Sequence, residues 1–529
     1  MDPDVVIVGG GPVGTGLAID LALHGLSVTV VERREAIQQI PKGQNLTPRT
    51  GEHFRRWGVT DAIRAASPIP RSYGSGGIAS YGTFLSDYHY EWFNRARIVD
   101  YYAATNERLP QYETEAVLRR RAGDFANIKL LTGWSFESLR QDASSVEVTI
   151  TQKETAELRT LSAQYLVGCD GARSPVREAA GITQDIDPHD RKMALLVFNS
   201  QELDERLAIY GDRTIYNAMS PEMDGYWQFL GRVDLNGNWF FHAPVPQGAT
   251  RDNFDFRALL HRAVGAVVDM EFSYVGFWDL RLSLADTYAN GRVFIAGDAA
   301  HSHPPYGGYG INTGFEDARN LAWKMAACKA GWGGEGLLDS YGEERRPVFA
   351  STHDDFILRS ILDDRDFVSK HHPGRDRHDF EAAWERRAGG GDGMVTQYLP
   401  HYEGSPIVDG VCGARSGATG THGYRVVAGH HLAPASLSDG SCIYDHLGQI
   451  MSVILTGDAG RKAAEWRQAS EATGIPLNVI ALSSTAETDR WEAETILVRP
   501  DEHAAAVGNA SLSQQAPEML RMAAGQRKA

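Results

Sequence analysis

Three glycines near the start of the chain have the spacing of a phosphate cradle. They are Gly9, Gly11 and Gly14, in the run Gly9-Gly10-Gly11-Pro12-Val13-Gly14. Gly9 permits a tight turn out of a strand, a side chain at Gly11 would block an incoming pyrophosphate, and Gly14 lets strand and helix backbones pack closely. Pro12 and Val13 open the helix that follows, whose free N–H groups and partial positive charge would face the phosphates. Glu32 stands roughly 20 residues further on, where a carboxylate can accept hydrogen bonds from both hydroxyls of a ribose. The same charge would repel a 2′-phosphate, so the site suits FAD or NAD and not NADP.

Two later runs could do related chemistry. The first is Gly168-Cys169-Asp170-Gly171-Ala172-Arg173-Ser174-Pro175-Val176-Arg177. The second begins at Gly297-Asp298-Ala299-Ala300-His301 and continues from Pro304-Pro305-Tyr306 through Gly307-Gly308-Tyr309-Gly310-Ile311-Asn312. An aspartate at a strand end can bind a ribitol hydroxyl, and the glycines let backbone approach a flat ligand. A helix starting near Asn312 would direct its N–H groups at the anionic edge of a reduced flavin.

These residues need elements to hold them. Asp4 to Val8 reads as a buried parallel strand, Val13 to His24 as a helix with Gly25 as its C-cap, and Ser27 to Val31 as the next strand, which completes a βαβ unit. Gln44 to Ala66 and Glu113 to Ala126 read as helices, and Ile128 to Leu131, Val146 to Thr151 and Tyr165 to Cys169 as strands. Lys192 to Asn199, Thr214 to Met219, Tyr226 to Val233 and Asn238 to Ala243 are aromatic and β-branched runs separated by turn signals, which predicts a mainly antiparallel sheet inserted as a second layer. Gly291 to Ala296 returns to the first style and leads into a long helical region, about Asn312 to Leu362. Glu381 to Ser405 reads as a connector. Beyond Tyr424, strands at Met451 to Leu455, Leu477 to Ile480 and Thr495 to Val498 form a small α/β unit, and the residues after Gln514 read as a frayed tail.

At 529 residues the chain is too long for one core, so two or three domains are expected. A net charge of -16 disfavours nucleic acid and anionic membranes. No apolar run is long enough to span a bilayer, and a first strand beginning at about Asp4 leaves no room for a signal peptide. Cys169, Cys328, Cys412 and Cys442 form no CxxC pair, which fits free thiols and a cytoplasmic location.

With three motifs in this order, most of residues 4 to 360 resemble the class A flavoprotein aromatic hydroxylases, the p-hydroxybenzoate and phenol hydroxylase group. The resemblance implies an α/β fold: a Rossmann-like FAD-binding domain in two parts, 1–181 and 286–400, with a substrate-binding β-sheet domain, 182–285, inserted between them. Residues 401–529 resemble the thioredoxin-like C-terminal domain of the larger phenol and polyketide hydroxylases, through Tyr444-Asp445 and Arg499-Pro500-Asp501. Lacking CxxC, that unit would serve as structural support or as a homodimer contact. Further roles are implied by the resemblance. Asp298 would contact the flavin ribitol, Gly310, Ile311 and Asn312 would lie along the isoalloxazine, and Gln111 would touch the flavin. Arg33 would face the adenosine, Asp170 and Arg177 would serve FAD and the nicotinamide cofactor, and the Pro305 carbonyl would face the oxygenated flavin. The chain departs from the family's common pattern in the segment Lys42 to Leu46, often Arg or Ala there, and at Tyr309, often Gln.

The implied cycle uses NAD(P)H to reduce FAD, then O2 to form a C4a-hydroperoxide whose distal oxygen reaches an electron-rich ring carbon. A phenolic substrate needs its hydroxyl deprotonated or strongly hydrogen-bonded. Tyr216, Trp227 and His242, on the inserted sheet, could line a pocket, although each can equally serve packing. Gln44 and Asn45 could orient a hydroxyl but not deprotonate it. Epoxidation, Baeyer–Villiger insertion, antibiotic inactivation, a flavin dehydrogenase and a non-catalytic binding protein on the same scaffold remain alternatives. No metal site is expected: His301 and His303 read as loop residues, and His371-His372 and His430-His431 as surface residues. Arg119-Arg120-Arg121 reads as a solvated helix face.

Overall fold

The computed structural model describes residues 2–74, 76–303, 306–390, 393–457 and 459–526, without the side chains of 188–191 and 279–280. The N-terminal expectation holds closely. Val5–Val8 and Val28–Glu32 are strands buried along their whole length, and Pro12–Leu23 is the helix between them. They belong to a six-stranded sheet in the order Ala289–Asn290, Val293–Ile295, Tyr165–Gly168, Val5–Val8, Val28–Glu32, Ile128–Thr132. All neighbours are parallel except the short antiparallel strand at its edge. Parallel strands covered on both faces bury every side chain, which is why these runs are continuously apolar instead of alternating.

The second sheet has eight strands and is larger than the sequence suggested. Its order is His301–Ser302, Glu271–Ala285, Gln184–Asn199, Asn238–Pro246, Gln228–Arg232, Ile215–Met219, Gly77–Tyr81, His89–Trp92. Only Ile215–Met219 and Gly77–Tyr81 pair in parallel. Two of its strands therefore come from the first part of the chain, ahead of the aromatic-rich stretch. Register sets its faces. Phe229 pairs with His242 and Leu195 with His242, so these three side chains share one face. Tyr216 pairs with Leu230, and Leu230 with Phe241, on the opposite face.

Three sequence expectations are corrected here. Gln44 to Ala66 is not one helix but a two-residue strand, Asn45–Leu46, followed by helices Pro48–Trp57 and Thr60–Ala66, divided at Gly58 in the left-handed conformation. The stretch read as a connector contains the helix Arg377–Gly390, whose buried Phe380, Ala383 and Trp384 pack with Tyr81. The stretch read as a frayed tail contains the helix Ala516–Ala523, which buries Met519, Leu520 and Met522 in the C-terminal core.

That core surrounds a four-stranded sheet, Leu477–Ala481, Met451–Leu455, Thr495–Val498, Ala504–Gly508. Its loop Arg499 to His503 enters the first unit. Arg499 donates to both oxygens of Glu344 at 2.6 and 2.9 Å, and Glu344 also accepts from Lys324 at 2.7 Å. Glu502 accepts from Arg319 at 2.8 Å, and Arg319 in turn donates to Asp20 on the first helix at 2.9 Å. A buried charge needs partners of this kind because desolvation otherwise outweighs attraction. The C-terminal unit is thus keyed to the helix Tyr309–Lys329 by ion pairs as well as by apolar packing.

Candidate functional site

The glycine cradle has the geometry its spacing predicts. Gly9 has φ +108°, and a Cβ there would stand 2.2 Å from the Cys169 carbonyl oxygen. A Cβ on Gly14 would stand 2.0 Å from the Gly9 carbonyl oxygen. At Gly11 a Cβ would meet no protein atom within 4 Å, although the residue lines a cleft. Gly9 and Gly14 are therefore required by the fold, whereas Gly11 keeps space open above the helix N-terminus. That space, floored by backbone N–H groups without acidic side chains in the first helical turn, fits a diphosphate.

The cleft has a volume of about 790 Å³. Gly9, Gly11, Pro12 and Val13 line one end with Glu32 and Arg33, and Asp170, Gln111, Asp298, Gly310 and Ile311 line its length. Gly14 lies beneath the cradle and does not line it. Glu32 is fixed by the Gly10 N–H on Oε2 at 2.8 Å and by the Arg34 N–H on Oε1 at 2.9 Å. Each oxygen keeps a further lone pair for a ribose. Gln111 begins the helix Gln111–Gly123, its Oε1 3.3 Å from where a Gly43 Cβ would stand. Burial raises the carboxyl of Asp298 above its ordinary range against the pull of His301 and Lys42. Burial likewise raises Asp170, opposed by hydrogen bonds from Ser174 and from the Val176 N–H.

Several contacts that set this geometry were not legible beforehand. Asp317 accepts from the Gly297 N–H at 3.0 Å, from His301 at 2.6 Å and from Arg345 at 2.8 Å, which fixes the turn that presents Asp298. His301 is therefore a buried, paired side chain and not a loop histidine. Arg119 donates to the Gly10 carbonyl at 3.1 Å and pairs with Glu115 at 2.7 Å. It braces the cradle, in contrast to the solvated face read from the triple arginine; the i,i+4 Glu115–Arg119 spacing was the available signal.

The proposed catalytic positions divide. Pro305 lies outside the described residues. His242 lines the cleft, its ring 4.8 Å from Trp278 and 5.3 Å from Phe240, and its Nδ1 is buried without a hydrogen-bond partner. Burial, with a smaller contribution from Lys42, lowers its pKa to about 3, so the ring is neutral. Tyr216 is corrected: strand alternation turns it to the far face, where its hydroxyl donates to the Arg213 carbonyl at 3.1 Å. Trp227 is corrected too, since its Nε1 donates to Asp364 at 2.5 Å inside the core. Asn45 does not line the cleft; its Oδ1 accepts from the buried Arg108 at 2.8 Å. Asn312 also turns away, clamping Asn45 O at 2.8 Å and Gly308 O at 2.6 Å while accepting from the Thr47 N–H at 2.8 Å. Its side chain shapes the loop beside the cleft instead of facing it.

Asn312 lines a second, smaller cavity of about 50 Å³ with Arg49, Arg95, Tyr309, Tyr398 and His503. Burial alone would raise Glu316 there, but Arg49 and His53 hold it well below the carboxylate range.

The buried histidines make a pH prediction. Burial lowers His242 and His503 to about 3 and His24 to about 4. Unfolded, each binds a proton near pH 6.5. Below that pH the unfolded chain binds more protons than the folded one, so stability falls with pH through the window down to 3–4 and is full above it. The thermal midpoint at pH 5 should lie below that at pH 7, and an equal or higher midpoint at pH 5 would count against these burials.

A family model described as an FAD binding domain matches residues 2–355. The chain belongs to this family, the class A flavoprotein hydroxylases. A Streptomyces halstedii protein named as a polyketide hydroxylase is 36% identical over 361 residues, 66% of this chain and 63% of that protein. The match therefore spans less than two thirds of that relative's length. The 4-methyl-5-nitrocatechol 5-monooxygenase of a Burkholderia species is 30% identical over 494 residues, 91% of this chain and 87% of that one. Among solved structures, the rebeccamycin biosynthetic enzyme RebC with reduced flavin superimposes with a TM-score of 0.82 at 28% identity, over 100% of both chains. The match over residues 2–355 includes the cradle, Asp170 and Asp298.

Proposed function

We propose that this flavoprotein is an FAD-dependent monooxygenase that hydroxylates a phenolic or polyketide-like aromatic ring using NAD(P)H and O2. One observation carries the reading: the dinucleotide cradle and a wall of aromatic residues on the inserted sheet open into the same cleft. The names of the Streptomyces and Burkholderia relatives support the reaction class and an aromatic substrate.

When bound, FAD would accept a hydride from the nicotinamide and deliver one atom of O2 to the substrate. The chain's own residues would do the rest. The Gly9 to Gly14 backbone and its helix would neutralise the diphosphate, Glu32 would bind the adenosine ribose with Arg33 beside it, and Asp298 the ribitol. Gly43, Gln111, Gly310 and Ile311 would border the isoalloxazine. Phe277 and Trp278, which line the cleft, would exclude water around the substrate ring, and neutral His242 would accept the hydrogen bond of its hydroxyl, making the ring more electron-rich.

The C-terminal unit, with a strand–helix–strand followed by two antiparallel strands and a helix, fits a thioredoxin-like fold without a CxxC pair. Support or a homodimer contact is its part in this reading. Free cysteines fit a cytoplasmic setting, and no helix among the described residues is long and apolar enough to cross a membrane.

Screening phenolic compounds for stimulated NADPH and NADH oxidation tests the proposal; stimulation is expected, and a panel without any effect would count against it. His242→Phe keeps a flat ring and removes the acceptor. It should retain FAD and lower kcat/KM for the aromatic substrate by roughly 3- to 10-fold, the worth of one hydrogen bond. Unchanged kcat/KM would remove His242 from the reaction.

A further inference from the structure

The sequence reading placed His430 on the surface and assigned it nothing. In the structure its ring stacks on that of His401, with centroids 4.8 Å apart and planes within 8°. Its Nε2 is 2.6 Å from Glu403 Oε1. One potential ligand atom from each of His401, Glu403 and His430 lies within 4.8 Å of the other two, the one grouping of three such residues among those described.

Backbone geometry holds the three residues together. The Tyr402 N–H donates to the Gly429 carbonyl at 2.8 Å, and the Gly429 N–H to Ala504 at 2.7 Å. Gly429 has φ +86°, and a Cβ there would stand 2.6 Å from the Glu403 nitrogen, so only glycine lets the two segments approach this closely. His401 sits on the strand Tyr398–His401, paired with Gly417. Its Nδ1 is buried without a hydrogen-bond partner. The Glu403 side chain remains 33% exposed and that of His430 17%, which leaves a path from solvent.

We propose that His401, Glu403 and His430 form a divalent transition-metal site, with Zn2+ the natural occupant. Two imidazole nitrogens and one carboxylate oxygen are a borderline donor set suited to Zn2+, and solvent would supply the fourth ligand. Bonds of about 2.0–2.2 Å place tetrahedral ligand atoms about 3.4 Å apart, so binding would part His430 Nε2 from Glu403 Oε1, now 2.6 Å apart, and turn one of the two near-parallel rings until both lone pairs meet at the ion. Leu399 and Pro400, just before His401, and His431, just after His430, line the smaller cavity. The metal would therefore tie the strand Tyr398–His401 to the loop that carries His430 and stiffen that wall.

The test is zinc titration by calorimetry on tag-free, chelator-treated flavoprotein. One saturable site per chain is expected. His430→Gln and Glu403→Gln should each weaken binding by more than the ~10- to 100-fold that losing a ligand's supporting partner costs. On wild type alone, zinc X-ray absorption should count two imidazoles, so the proposal stays testable if a variant does not fold. No saturable binding, binding unchanged in a His401→Gln/His430→Gln double variant, or a zinc shell without two imidazoles would each overturn it.

Discussion

Gly11→Val should give a folded protein that is colourless. A Cβ at this position meets no protein atom within 4 Å, so the fold has room for the side chain. The space it would enter is the space above the helix N-terminus, where backbone N–H groups must reach a diphosphate. Flavin affinity is expected to fall by at least roughly 100-fold, or about 2.7 kcal/mol, with an unchanged circular dichroism spectrum. Gly14→Ala is the informative contrast. Its Cβ would stand 2.0 Å from the Gly9 carbonyl oxygen, so the strand and helix must part and the fold itself should suffer. The two variants separate a glycine that serves the ligand from one that serves packing. A Gly11→Val protein that binds FAD normally would mean that the diphosphate lies elsewhere.

The second large effect concerns Glu344, far from the cleft. Its carboxylate is fully buried and accepts from Arg499, Lys324, Asn320 and Ser405. As a pair with Arg499 it adds little over well-packed apolar residues, because desolvation offsets most of the attraction. Removing one partner is different, since Glu344→Ala leaves Lys324 and part of Arg499 buried without a counter-charge. That costs about 3–5 kcal/mol. Thermal unfolding, followed by release of flavin fluorescence, should begin roughly 5–10 °C lower. The exposed pair Arg461–Glu465 is the control, and Arg461→Ala should not move the transition. An equal loss in both variants would mean that the buried network is not what keys the C-terminal unit to the rest.

What the sequence revealed and what it concealed have physical causes. The cradle was legible because backbone packing demands glycine at Gly9 and Gly14 and an incoming diphosphate demands it at Gly11. Glu32 followed from its place at a strand end. Tyr216 was not legible in orientation. Ile215–Met219 is buried on both faces, so its residues do not alternate and a one-residue shift reverses every side chain. The resemblance points Asn312 toward the ligand and the amide of Asn45 suits a substrate hydroxyl, yet Arg108 and Thr47, distant in sequence from Asn45 and Asn312 respectively, take their side chains. The helix Arg377–Gly390 carried a periodic signal in Phe380, Ala383 and Trp384, obscured by its glycine-rich end. Asp317, which fixes the Asp298 turn, sits on a helix whose residues are nearly all buried, so burial alone could not mark it out.

The most direct test of the whole account is a turnover under 18O2 with a phenolic compound that stimulates NADPH or NADH oxidation. The product should carry one labelled oxygen atom on the ring, in proportion to the nicotinamide consumed. An unlabelled product, or hydrogen peroxide formed in full proportion to the nicotinamide, would contradict oxygen transfer by this protein.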